Sequence, residues 1–311
     1  VYIFCGRGLA SHRWCRLSSN VRPRTTGGAH QTIDMAICLR RNIPARLSFT
    51  NNLEELTLAK HAVKDISSVS DLIANLRADT NPDDTTWFRG HSDQSWALEP
   101  SLNRSGYVEA FEAAIRLYKK FVQNSVKLIA NPPEEEYEWM FYMQHYGIPT
   151  NLMDWSESPL VGLYFAVEDE KYHAKDGALY LLEPNSFNSS ASHTRVGAKD
   201  IFAFGIDSET NQYLLTQVSL TNKQSKQPPI AVIGPKNSAR IQAQEGVFVA
   251  HHRDLRWMED NFDASSWGWK YKIPAAVKPA LLEELRYLMM DRFTIYPQLD
   301  NLAKKIKETV K

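Results

Sequence analysis

Met143-Gln-His-Tyr-Gly-Ile-Pro-Thr-Asn-Leu-Met-Asp-Trp-Ser-Glu-Ser-Pro-Leu-Val-Gly-Leu-Tyr-Phe-Ala166 joins two helical stretches through a polar loop that carries a tryptophan. The first helix is predicted over about 134–146 and is halted by Gly147-Ile-Pro149. The second opens at Ser158-Pro159, with Ser as N-cap and Pro in the first turn, and runs apolar to about Val167. Between them sit His145, Thr150, Asp154 and Ser156, next to Trp155. Hydrogen-bond donors, one carboxylate and a stacking face around one concavity are the usual make-up of a small-molecule site. The alternative is local: Asp154 and Ser156 are also ordinary capping residues of turns and helix starts.

Outward from this stretch, the periodicity separates two kinds of sequence. Upstream, Val69, Leu72, Ile73 and Leu76 recur at helical spacing, and Thr85-Thr-Trp-Phe-Arg89 reads as a short strand ending at Gly90. A long amphipathic helix follows from Phe111 to Ile129, stopped by Asn131-Pro-Pro133. Downstream, strands are predicted over 178–183, 230–233, 240–243, 247–251 and 269–273, with polar loops over 185–192 and 222–229. Helical spacing returns around Leu281 to Met289 and from Leu302 to Val310. Helices mainly in the first half and a β-rich second half predict an α+β class, as a single mixed domain over 51–311.

Composition fits a soluble globular chain: 311 residues, 43% apolar, 23% charged and formally neutral. The neutrality hides an asymmetry. Residues 1–50 hold eight Arg against one acid, Asp34, a formal +7 that leaves −7 for the rest. All three cysteines, Cys5, Cys15 and Cys38, lie there too. That segment reads as a basic, poorly structured leader, with a transit peptide or a phosphate-touching arm as alternatives. Without cysteine, residues 51–311 hold no disulfide framework and no Cys-based zinc site. The apolar run from Leu160 to Val167 is far below the ~18 residues of a membrane span, so a cytoplasmic location without a membrane partner is expected. Phosphate-binding loop, dinucleotide fingerprint, nucleophile elbow and zinc-protease motifs are absent. His251 and His252 are adjacent and would face opposite ways on a strand, so no metal site is expected.

Two further clusters carry chemistry-bearing side chains. In Trp87-Phe-Arg-Gly-His-Ser-Asp-Gln-Ser-Trp96, Arg89 ends a strand beside a glycine, and its guanidinium fork suits a phosphate or pyrophosphate. The alternative is a structural ion pair with Asp93 or Glu99. In Ala239-Arg-Ile-Gln-Ala-Gln-Glu-Gly-Val-Phe-Val249, strand alternation would put Gln242 and Gln244 on one face. Gly246 would then mark a bulge that re-aims Gln244 or Glu245 into a cleft; the alternative is a plain strand with its polar face in water. Trp257, Trp267 and Trp269 read as core packing, with base stacking as the other reading.

Together these stretches resemble the FRG domain family, through Phe88-Arg89-Gly90, the segment Gln144 to Pro159, Gln244-Glu-Gly-Val-Phe248 and Tyr296-Pro-Gln-Leu-Asp300. The likeness spans about residues 66–307, with Met153 for Leu, Ser156 for Thr and Tyr296 for Phe as departures. The motif order is in turn similar to ADP-ribosyltransferases of the Arg–Ser–Glu type, which implies that fold and NAD as co-substrate, with no metal. By that resemblance Arg89, with Gly90 and His91 beside it, would hold phosphate. His145, Thr150 and Ser156 would orient the ribose or nicotinamide, and Trp155 or Tyr164 would stack. Gln244 would meet the ribose hydroxyls and Glu245 would face the developing oxocarbenium, with Asp154 as the rival carboxylate. The implied role is a toxin or anti-phage defence effector that modifies a nucleic acid, RNA first, or a protein, partnered by an antitoxin or regulatory protein. The alternatives are a non-catalytic FRG module that binds a nucleotide or partner protein, and a nucleic-acid-binding or nuclease protein that uses the basic leader and the tryptophans.

Overall fold

The computed structural model describes residues 63–191, 193 and 201–310. The leader reading of residues 1–50 lies outside them. In chain order the elements are β1 (Lys64–Asp65), α1 (Val69–Asp79), β2 (Trp87–His91), α2 (Ser101–Arg104), α3 (Ala110–Ser125), α4 (Glu136–His145), β3 (Leu152–Ser156), α5 (Pro159–Val167), β4 (Gly177–Leu182) and α6 (Pro184–Ser190). They continue with β5 (Phe202–Ala203), α7 (Leu215–Leu220), β6 (Ile230–Ile233), α8 (Ala239–Ala243), β7 (Gly246–Ala250), α9 (Trp257–Phe262), β8 (Gly268–Ile273), α10 (Lys278–Tyr287), α11 (Arg292–Ile295) and α12 (Leu299–Thr309). The strands form one mixed sheet in the order β1-β8-β4-β2-β3-β7-β6-β5, parallel only at its two ends. Helices on a mixed eight-stranded sheet make this an α+β protein.

Strand alternation and register divide the sheet into two faces. Phe88, Leu179, Leu181, Trp269 and Tyr271 lie on one face and pack under α5 and α10. Farther along the same face, Leu152, Phe248 and Ala250 pack under α3 and α4 through Phe111, Met140 and Phe141. The opposite face buries Trp87, Met153, Trp155, Tyr180 and Val249. So the first face carries two apolar covers, and they meet at the β2–β3 junction near the middle of the sheet.

Local signals explain most elements. Ser158 Oγ accepts from Val161 N–H, and Pro159 sits in the first turn of α5, as the sequence predicts. Several expectations are corrected. Residues 240–243 form helix α8, not a strand: Ser238 caps it by accepting from Ile241 N–H (3.1 Å), and the chain reverses at Glu245, φ 45°. Gly246 therefore opens β7 and marks no bulge, and Gln242 and Gln244 share no strand face. The polar loop around Asp154 contains a central strand, β3, and the loop predicted over 185–192 begins in a helix, α6. Trp267 and Trp269 are buried core residues, and Trp257 stacks on Trp267 with ring centroids 6.1 Å apart.

Helix α10 is anchored by a fully buried lysine. Lys278 Nζ donates to Ser92 O (2.5 Å) and Tyr172 O (2.9 Å), joining the segments after β2 and α5. Burial lowers its pKa, although Asp93 and Asp176 oppose this. Lys278→Met keeps the stem and strands both carbonyls, so urea denaturation should read a loss of about 2 kcal/mol.

Candidate functional site

The site begins with one departure from burial. Four of the five residues of β3 are buried, and the exposed one is the middle residue, Asp154. Register places Asp154 beside Phe248 of β7 on the face covered by α3, α4 and α5. There it lines a cleft of about 190 Å³ with Phe141, Tyr142, Gln144 and His145 of α4, Arg240 of α8, and Phe248. Its exposed side chain therefore faces a partly open cleft. Enough protein surrounds the carboxyl that desolvation raises its pKa, although Arg89, Arg240 and Arg104 all pull it down. Among the described residues no ion-pair partner lies within 4.0 Å of Asp154.

The walls are fixed by hydrogen bonds that the motifs supply. Gln144 Nε2 donates to Leu152 O (3.0 Å), tying α4 to β3 and leaving Gln144 Oε1 buried without a partner. Ser156 Oγ donates to Gln244 O (2.7 Å) and accepts from Ser158 N–H, so one hydroxyl joins β3, the end of α8 and the N-cap of α5. Gln244 Nε2 donates to Ile295 O (3.2 Å), which holds the end of α11 against the cleft. The His145 pKa is lowered by burial and then by Arg240, so its ring is neutral near pH 7.

Arg89 lies on the other face of the sheet. β2 and β3 share the single register position Phe88↔Ser156. Next to it, Arg89 Nη1 donates to Asp154 O (2.5 Å) and Nε donates to His91 Nε2 (3.1 Å). That bond places the His91 proton on Nδ1, and burial followed by Arg89 and Arg104 drives the His91 pKa well down. Burial, then Arg104, lowers Arg89 to about 10, so it stays cationic at neutral pH. Among the described residues it has no carboxylate partner: Asp93 accepts from Ser95, and Glu99 pairs with Arg256.

Among the residues singled out in the sequence, the structure gathers Asp154, His145 and Gln244 around one cleft, while Trp155, expected to stack there, only borders it and buries its ring in the core of the opposite sheet face. Gly90 instead lies against the backbone of α5. Thr150 is fully buried, its Oγ1 accepting from Leu152 N–H, and Tyr164 is buried on α5 beside Glu168. Glu245 is exposed and pairs with Lys236 at the surface, outside the cleft lining. Two cleft residues escaped the sequence reading in these roles: Arg240, assigned to a strand, and Gln144, taken only as part of a motif. The Ser238 N-cap was the signal that would have placed Arg240 on a helix beside Asp154. Among the described residues no group of three or more His, Cys, Asp or Glu is arranged to hold a metal ion, and no helix is long and apolar enough to cross a membrane.

Residues 84–175 match the FRG domain, which supports the resemblance to that family over β2, α2, α3, α4, β3 and α5. Arg89 and Asp154 fall inside the matched segment; Arg240 and Gln244 lie beyond it. No curated protein and no solved structure matches the chain.

Proposed function

We propose that the Asp154 cleft binds NAD and transfers its ADP-ribosyl group to an acceptor. One observation carries this reading: a carboxylate without a counter-ion at the floor of an aromatic-walled cleft, within the field of three arginines. An unpaired, desolvated carboxylate suits a ligand whose positive charge grows during reaction. Phe141, Tyr142 and Phe248 line the cleft and give it aromatic walls for a planar base. At about 190 Å³ the cleft is smaller than the ~300–1,000 Å³ that encloses a whole drug-sized ligand, so it would take one base and its ribose, with the rest at its mouth.

In the reaction the bond from ribose C1′ to the nicotinamide nitrogen breaks, and its electron pair leaves with neutral nicotinamide. Asp154 opposes the oxocarbenium charge that develops at C1′. A lone pair on the acceptor forms the new bond to C1′, and the acceptor's proton passes to Asp154 or to water. RNA as first acceptor, protein as second, a toxin or defence role and an antitoxin partner extend this reading from the family resemblance.

The test is incubation of the full chain with adenylate-labelled NAD and cell lysate. Free nicotinamide together with label on RNA, DNA or protein supports the transferase. Binding of NAD without turnover would instead identify a non-catalytic nucleotide-binding module, and absence of both would remove the reading. Glu245→Gln serves as the internal control. Since that side chain faces Lys236 at the surface, turnover should stay within about twofold of wild type.

A further inference from the structure

We infer that Arg240, presented on the ring of Tyr296, is the anion-binding group of the cleft and takes a phosphate of the nucleotide; this rests on the nucleotide reading above. Arg240 lines the same cleft as Asp154 and has no carboxylate within 4.0 Å among the described residues. Its one hydrogen bond runs from Nη1 to His145 O (3.2 Å), which leaves most of the five guanidinium donors for a ligand. A planar fork with free donors matches phosphate oxygens.

The way Arg240 is held favours this use. Its Cζ lies 5.1 Å from the centroid of the Tyr296 ring, so the ring steadies the cation without neutralising it. Tyr296 is itself fixed: its hydroxyl donates to Glu168 Oε1 (2.9 Å), and Arg292 pairs with the other oxygen of Glu168 (3.5 Å). The nearby acid is thereby engaged by other groups. Arg89, the phosphate binder implied by the family resemblance, already gives two donors to His91 and to the Asp154 carbonyl, and it lies outside the cleft lining. Arg240 thus offers a cation with free donors for a phosphate, in the same cleft as the carboxylate that would meet the ribose.

Calorimetric titration of the full chain with ADP-ribose, nicotinamide riboside and inorganic pyrophosphate tests the assignment. Arg240→Met should weaken ADP-ribose and pyrophosphate by about 10-fold or more, the worth of a charge-assisted contact, and leave nicotinamide riboside unchanged. Tyr296 acts as a positioning residue. Tyr296→Leu should weaken the two phosphate ligands alone, and Tyr296→Phe, which keeps the ring, should restore most of the loss. Unchanged ADP-ribose affinity in a folded Arg240→Met protein overturns the inference while leaving the NAD reading intact. If wild type binds pyrophosphate through Arg240 but neither nucleoside ligand, the NAD reading falls and the anion site stands. If wild type binds none of the three, both fall.

Discussion

Asp154→Asn is expected to reduce NAD consumption about 10²–10³-fold, the usual effect of removing one group that stabilises transition-state charge. The fold should survive. Asn is nearly isosteric, and the Arg89 contact goes to the main-chain carbonyl of residue 154, which the substitution leaves in place. Stability should move the other way from activity. Folding raises the pKa of Asp154, so the unfolded chain accommodates its negative charge better than the folded one. The wild-type protein therefore gains stability as pH falls through that raised pKa, and Asp154→Asn should carry this gain at neutral pH, with an equal or higher Tm. Activity has the opposite sign. It needs the carboxylate ionised, so kcat should decline on acidification at a higher pH than a free aspartate would give, and the acid limb should vanish in the residual activity of the variant. A variant that loses activity and Tm together would instead assign Asp154 a structural role.

Much of this architecture is legible from local physics, and the misses share one cause. Ser158-Pro159 announces α5, and the aromatic-rich run at Trp87 announces β2, because each is decided by capping or β-propensity close in sequence. β3 was hidden because its central Asp154 is turned into a cleft, so the polar residue that interrupts the pattern is the one the fold uses. Helix α8 does not show in the pattern because Arg-Ile-Gln-Ala also alternates, while the deciding contact is the Ser238 cap, two residues before the run. At the site, the neighbourhood of His145, Asp154 and Gln244 is written in the motifs. The outward turn of Glu245 is not, since it depends on a left-handed backbone at that residue. Nor is the approach of Arg240 to Tyr296, which is a tertiary contact between segments more than fifty residues apart.

Gly90→Ala is expected to be the most damaging single-methyl change in the protein. A Cβ at residue 90 would lie 2.0 Å from Gly162 O and 2.5 Å from Ala166 N, both backbone atoms of α5 that no rotamer change can move. The contact is also tight from the helix side: a Cβ at Gly162 would lie 2.9 Å from Phe88 Cβ and 2.8 Å from Leu179 Cδ1. β2 and α5 thus meet glycine to glycine, and relieving the clash means lifting α5 from the sheet. That would open the core around Phe88, Leu163 and Leu179 and pull Phe165 O from Ser92 Oγ (2.9 Å). Overpacking of this kind costs about 3 kcal/mol or more, a large part of an ordinary stability margin, so urea midpoints should collapse or the protein should fail to accumulate folded. Gly147→Ala is the matched control. Nothing lies within 4 Å of its Cβ position, and only φ of +76° resists a side chain, so it should lose about 1–2 kcal/mol. A large gap between the two variants would show that the glycine of Phe88-Arg89-Gly90 serves contact rather than flexibility. The three residues then have distinct duties set by strand alternation: Phe88 and Gly90 seat α5 on one face, while Arg89 on the other reaches the Asp154 carbonyl and fixes the strand that carries the cleft carboxylate.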